Sequence, residues 1–149
     1  MSLYLACDHR GVALKNQLLP ILAKEYNVIT SNVANDPDDD YPDFAFDVCT
    51  HMSKTNDIAI LICGNGIGIS IAANKVKGIR CARVINLDDA IQAREHNHAN
   101  SLSIPADMDV EMAYQIIKLF ITTKLSTIDR HVRRVNKITS YENGEYNEL

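Results

Sequence analysis

Ile58-Ala-Ile-Leu-Ile-Cys-Gly-Asn-Gly-Ile-Gly-Ile-Ser-Ile-Ala-Ala-Asn-Lys75 decides how this chain is read. The apolar run Ile58–Ile62 ends in a thiol, Cys63. Three glycines follow at alternate positions, Gly64, Gly66 and Gly68, and then the helix-forming Ile69-Ser-Ile-Ala-Ala-Asn-Lys75. A continuous apolar run bounded by glycine predicts a strand buried on both faces, a tight turn and a helix start. Glycine lets other groups approach the backbone closely, so the N–H groups of such a turn can point at an anion. A thiol beside a helix start has its pKa lowered from about 8.5 and becomes a usable base or nucleophile. Sulfur base and anion pocket together suit a reaction that passes through an enolate. The competing reading, a buried bystander thiol on a plain strand–helix turn, accounts for the glycines but not for the placement of Cys63.

Outward from this segment, strands and helices alternate. Strands are predicted at Ser2–Ala6, Val28–Thr30, Asp57–Cys63, Ile79–Ile85 and Ser101–Ile104. Helices are predicted at Val12–Tyr26, from Pro42 to about Ser53, at Ile69–Val76, after a capping Asp88, and at Asp109–Thr123 and Asp129–Ile138. The pattern predicts an α/β fold, a Rossmann-like three-layer sandwich with a five-stranded parallel sheet and helices on both faces. One domain, residues 1–140, is expected, with 141–149 a polar and disordered C-terminal tail. Ligands of such sheets bind beyond the carboxyl ends of the strands, which directs attention to Cys7-Asp-His9, to Cys63-Gly64 and to the helix carrying Arg94-Glu-His-Asn97.

Bulk properties remove several function classes. With 15 Lys and Arg against 19 Asp and Glu, the net charge of −4 argues against a general affinity for nucleic acid or an acidic membrane. Charged or polar residues interrupt every apolar stretch before it reaches spanning length. The four cysteines, Cys7, Cys49, Cys63 and Cys81, have no CxxC spacing, so neither zinc nor a disulfide framework is expected, and reduced thiols in the cytoplasm are. Cys7, Cys49 and Cys81 read as packing residues.

Other clusters carry two readings each. Asp8-His9-Arg10 can hold a sugar hydroxyl and a phosphate, or Asp8 simply caps the first helix; alone, capping is the better account. Gly64-x-Gly66-x-Gly68 with Asp88 downstream invites a dinucleotide reading, but the spacing is not GxGxxG and the turn follows the third strand rather than opening the sheet. His96 and His98 lie two apart, on different sides of a helix, and do not form a metal pair; one is an acid–base candidate and the other a surface residue. Arg130 and Arg134 share a helical face and suit a phosphate dianion, or a solvated basic face equally well.

In this order, Cys7-Asp-His-Arg-Gly11, Asp40-Tyr-Pro-Asp43, the long central segment, Gly78-Ile-Arg80, Ala93-Arg-Glu-His-Asn97 and Arg130-His-Val-Arg-Arg-Val135 resemble the type B ribose-5-phosphate isomerases and the related galactose-6-phosphate isomerase subunits. The resemblance runs from the first strand to about Ile138. It implies a homodimer with the active site at the subunit interface, a dimer that can pair into a tetramer. It also implies metal-free, cofactor-free interconversion of D-ribose 5-phosphate and D-ribulose 5-phosphate. Cys63 matches the base and His96 the group assisting ring opening. Backbone N–H groups of Gly64, Asn65, Gly66, Ile67 and Gly68, extending to Ser70, match the enediolate cradle. Asp8, His9, Tyr41 and Asn97 match substrate contacts, and Arg130 and Arg134 a phosphate clamp from the other subunit. Isomerisation of a six-carbon sugar phosphate, and a non-catalytic nucleotide- or sugar-phosphate-binding module, remain the alternatives. Two positions depart from the family. Asn65 replaces the usual threonine or serine, and an amide donates a hydrogen bond but relays a proton poorly. Asp107 stands near the place of a phosphate-binding arginine, which leaves the clamp to Arg130 and Arg134.

Overall fold

The computed structural model describes residues 1–147. Five parallel strands, β1 (Ser2–Cys7), β2 (Asn27–Thr30), β3 (Ile58–Cys63), β4 (Cys81–Arg83) and β5 (Ser101–Pro105), form one sheet in the order β2-β1-β3-β5-β4. The helices are α1 (Val12–Ala23), α2 (Tyr41–His51), α3 (Ile67–Ala73), α4 (Leu87–Asn97), α5 (Val110–Thr122) and α6 (Asp129–Glu142), with a short 3-10 turn at His9–Gly11.

Side-chain alternation along β3 splits the core in two. Ile58, Ile60 and Ile62 pack with Leu14, Leu18 and Leu22 of α1 and with Ile116, Ile117 and Phe120 of α5. Ala59, Leu61 and Cys63 face Phe44, Val48 and Cys49 of α2 and Ile69 and Ala73 of α3. All six residues of β3 are buried, the signature of a strand covered on both faces. This parity puts the Cys63 side chain on the α2–α3 side.

The strand order reverses between β1 and β3. Cys7 lies opposite Ile62, and the Asp8 N–H donates to the Ile62 carbonyl oxygen at 3.2 Å. The chain segments leaving β1 and β3 therefore splay apart at the carboxyl edge and open a crevice, where doubly wound sheets place their ligands.

Several boundaries differ from expectation for local reasons. α1 stops at Ala23, where the N–H groups of Glu25 and Tyr26 turn back onto the Leu22 carbonyl so that β2 can begin at Asn27. Asn86, not Asp88, caps α4, accepting from the Asp89 N–H at 2.8 Å, and Asp88 lies within the first turn. α3 begins two residues early, at Ile67. α6 runs on through Tyr141 and Glu142, and Glu142 accepts the Gly78 N–H at 2.9 Å. The expected tail thus begins as packed helix. Residues 148 and 149 lie outside the described residues.

Candidate active site

The turn after β3 is built by glycine. Gly66 has φ 78°, in the left-handed region that side chains disfavour, and a Cβ there would lie 3.0 Å from the Ile104 carbonyl carbon. The buried Ser103 hydroxyl of β5 donates to the Gly66 carbonyl at 2.7 Å and fixes the turn from below. Asn65 fixes it from above, where its Oδ1 accepts the Ile67 N–H at 3.0 Å and so starts α3 early. The Arg83 Nε donates to the Asn65 carbonyl at 2.7 Å. Among the described residues, no protein acceptor faces the N–H groups of Gly64, Asn65 and Gly66. They are available to an anion.

These amides border a cavity of about 300 Å³ lined by Asp8, Arg10, Tyr41, Cys63, Gly64, Asn65, Ile67 and Gly68. Cys63 is only 3% exposed and Asp8 5%. Asp8 Oδ1 accepts the Arg10 N–H at 3.0 Å, capping the 3-10 turn at the cavity wall. Two glycines admit large neighbours. A Cβ on Gly64 would fall 2.4 Å from Nη1 of Arg10, and one on Gly68 2.6 Å from Cζ of the Tyr41 ring. Arg10 and Tyr41 therefore lie directly against the turn and wall the cavity.

His9 stands at the rim with its side chain 40% exposed. Asp39 Oδ1 accepts from both the His9 backbone N–H and its Nδ1, each at 2.8 Å. Asp39 Oδ2 accepts from the Asn35 side chain and the Asp36 N–H. The hydrogen bond to Asp39 raises the His9 pKa above the ordinary histidine value. Burial alone would push Asp39 upward, but its bonds from His9, Asn35 and Asp36 outweigh that and hold it below the usual carboxylate range. The ring is thus oriented with Nε2 outward.

Asp8, His9 and Asp39 bring three potential metal-ligand atoms within 4.8 Å of one another. Both Asp39 oxygens and the His9 Nδ1 already serve the hydrogen bonds just described, so a cation there would have to break that network.

A second cluster gathers on α4 and α6. The His96 and His131 rings stack with centroids 4.4 Å apart, and Arg130 and Arg134 flank them. Burial, then His96, Arg130 and Arg134, push His131 below the ordinary histidine pKa. Arg130 and Arg134 are exposed, and neither forms an ion pair among the described residues. His96, Asn97, Arg130 and Arg134 do not line the Cys63 cavity. A larger concavity of about 410 Å³ holds Asn97 together with Arg80, Cys81 and Glu142. Burial pushes the Cys81 thiol there up to about 11.

Residues 3–138 match the model of the Ribose/Galactose Isomerase family. The chain belongs to this family. Among its members, the probable ribose-5-phosphate isomerase B of Mycoplasma genitalium is 38% identical over 146 residues, 95% of each chain. The ribose-5-phosphate isomerase B of Mycobacterium tuberculosis is 36% identical, over 95% of this chain and 90% of its own. The solved structure of Clostridium thermocellum ribose-5-phosphate isomerase B superposes with TM-score 0.89 at 37% identity, covering 97% and 99% of the two chains. That of the Mycoplasma genitalium enzyme with bound ribulose-5-phosphate gives 0.85 at 37% identity, covering 95% and 96%.

For this member of the Ribose/Galactose Isomerase family, the structure unites Asp8, Tyr41, Cys63, Gly64, Asn65, Ile67 and Gly68 around one cavity, with Gly66 at the heart of the turn and His9 at its rim. Ser70 stands apart: its hydroxyl donates to the Ile67 carbonyl at 2.8 Å within α3. His98, expected as a surface residue, is instead the half-buried left-handed cap of α4, bonded to the Ser126 carbonyl at 2.9 Å. Asp107 is exposed and outside the cavity wall. Asp39, Ser103 and His131 went unread in the sequence, because their roles arise from contacts across 30 and 37 residues and from a ring stack between two helices. Burial raises Cys7 to about 11 and Cys49 to about 12, as packing thiols require.

Proposed function

We propose that this chain is a ribose-5-phosphate isomerase of type B, interconverting D-ribose 5-phosphate and D-ribulose 5-phosphate through an enediolate. The observation that carries the reading is the placement of the Cys63 thiol in one cavity with a glycine turn in which, among the described residues, the N–H groups of Gly64, Asn65 and Gly66 have no protein acceptor. A carbon-bound proton next to a carbonyl is a weak acid. A thiolate removes it only where the oxyanion formed is stabilised, and one preorganised donor is worth about 3–4 kcal/mol of barrier. In this reading Cys63 moves the proton between C1 and C2, while the amides of Gly64, Asn65 and Gly66 hold the developing charge; the expected Ile67 amide is taken by Asn65 Oδ1. The Asn65 Oδ1 is committed to Ile67, so its side chain has only N–H groups to offer the sugar. Asp8, His9, Tyr41 and Asn97 contact the substrate. No step needs a metal or a cofactor.

A closed sugar has no free carbonyl, so an acid–base group must open the ring first, and His96 suits that role. Within one chain His96 lies with Asn97, Arg130 and Arg134 outside the Cys63 cavity. A second copy of the chain supplies them: the protein acts as a homodimer, able to pair into a tetramer, with each site shared between subunits. The phosphate then sits under Arg130 and Arg134 of that second copy. Among the described residues no helix is long and apolar enough to cross a membrane; a cytoplasmic enzyme is the reading suggested by four free cysteines.

Two assays test this. Turnover on ribose 5-phosphate should exceed that on allose and galactose 6-phosphates; the reverse order transfers the assignment to a six-carbon substrate. Mixing inactive Cys63→Ala with inactive His96→Gln should restore about a quarter of wild-type activity, because half the random dimers are mixed and each holds one intact shared site. Continued inactivity of mixtures that exchange subunits contradicts the shared site.

A further inference from the structure

Arg10 is the cation among the residues lining the Cys63 cavity. Its guanidinium packs flat against Gly64, close enough that any side chain at position 64 would strike Nη1 and Cζ. Among the described residues this guanidinium forms no ion pair and donates no hydrogen bond. Neither neighbouring carboxylate satisfies it. Asp8 is held by the Arg10 backbone N–H, and Asp107 lies exposed outside the cavity. Several guanidinium N–H donors thus stand without a protein partner beside an open, solvent-reached pocket, a geometry suited to bidentate recognition of phosphate.

The position relative to the turn decides which anion is met. The reacting carbons must lie at Cys63 and the turn amides, which already answer the enediolate charge. Arg10 approaches from the β1 side, next in sequence to His9, whose ring Asp39 turns outward at the rim. A guanidinium fork beside an imidazole at one strand end offers several N–H donors, which match a dianion better than a single developing charge. On the β5 side the Gly64 carbonyl accepts the Ala106 N–H at 3.2 Å, and the nearby Asp107 offers no positive charge, so Arg10 is the cation that meets Gly64 from the β1 side.

We propose that Arg10 is a specificity-determining residue that grips the phosphate group of the sugar phosphate from the same chain that carries Cys63. The proposal rests on the isomerase reading above and adds a phosphate contact that does not depend on a second copy.

The test compares wild type, Arg10→Ala and Arg10→Lys by steady-state kinetics on ribose 5-phosphate, with inorganic phosphate as competitive inhibitor, and by calorimetric titration with inorganic phosphate alone. Arg10→Ala should raise KM and the phosphate inhibition constant together, by about tenfold to a hundredfold, with kcat little changed. Arg10→Lys should recover part of the loss, keeping the charge without the fork. The side chain is exposed and its backbone bond to Asp8 is untouched by either change, so both variants should fold. An unchanged inhibition constant in Arg10→Ala overturns the proposal while leaving a working isomerase, and so does a fall in kcat alone. If wild type turns over no sugar phosphate, yet its calorimetric affinity for phosphate drops in Arg10→Ala, the isomerase reading falls and the anion grip stands.

Discussion

Replacing Gly66 with alanine should damage both the fold and the chemistry, and replacing Gly68 only the chemistry. At Gly66 the backbone is left-handed, φ 78°, which costs a side-chain-bearing residue about 1–2 kcal/mol. The new Cβ would also lie 3.0 Å from the Ile104 carbonyl carbon and 3.2 Å from Pro105 N. Those atoms belong to the backbone of β5 and cannot swing away, and such overpacking costs about 1–3 kcal/mol. A total of about 2–5 kcal/mol corresponds to a fall in Tm of roughly 4–20 °C for a domain of this size. Because the turn must shift to relieve the contact, the amides at Gly64–Gly66 leave their positions, and kcat should fall about a hundredfold or more. At Gly68 the obstacle is the Tyr41 ring, 2.6–2.9 Å from the new Cβ, a side chain at the first residue of α2 that is 39% exposed and free to rotate. Alanine there gains about 0.5–1 kcal/mol of helix propensity, which offsets the contact, so Tm should hold while KM rises as Tyr41 leaves the cavity wall. Thermal unfolding by circular dichroism and steady-state kinetics on the two variants check this. A Gly66→Ala protein that melts and turns over like wild type would refute the account of the turn, as would equal destabilisation of both variants.

The remaining predictions concern charge. The raised pKa of His9 means that the imidazolium, and with it phosphate affinity, persists below that pKa and is lost as pH rises through it. Asp39→Asn removes the carboxylate that raises it, so the rise in KM should begin at lower pH; an NMR titration of the His9 ring that shows the same midpoint in both proteins would contradict this. By the same linkage the His9–Asp39 pair stabilises the fold between the two shifted values, since Asp39, held low, loses its contribution only as pH falls through its own lowered pKa. Ser103→Ala leaves the buried Gly66 carbonyl without its donor and should cost about 1–3 kcal/mol with a fall in kcat, read by urea unfolding and turnover. Arg134→Ala should raise KM for ribose 5-phosphate by about tenfold or more, and an unchanged KM removes Arg134 from the phosphate clamp.

The sheet was legible because its cause is local. Alternation along Ser2–Cys7, the continuous apolar run Ile58–Ile62 and the glycine turn each declare their element within a few residues. Cys63 was legible for the same reason: its place follows from the strand it ends. The helix ends were less so. The last helix is expected to end at Ile138, yet α6 continues to Glu142, whose carboxylate accepts the Gly78 N–H, a partner 64 positions away. The Asp39–His9 pair was hidden for a related reason, since Asn35–Asp40 reads as a solvated acidic loop until β1 and α2 bring it over the turn at His9. The spacing of Arg130 and Arg134 already suggested a phosphate face and the histidine pair an acid–base group, but only family resemblance chose His96 and gave the arginines their role. The sequence could not show that one chain does not bring them to Cys63.

The central claim is that the Cys63 sulfur lifts the proton while main-chain amides hold the charge. Its most direct measurement is Cys63→Ala, followed by turnover and by equilibrium binding of ribose 5-phosphate in the same preparation. The account predicts a loss of turnover of about 10²–10⁴-fold with binding retained, as expected when a general base is removed and the cradle left intact. Turnover within a few-fold of wild type would contradict it.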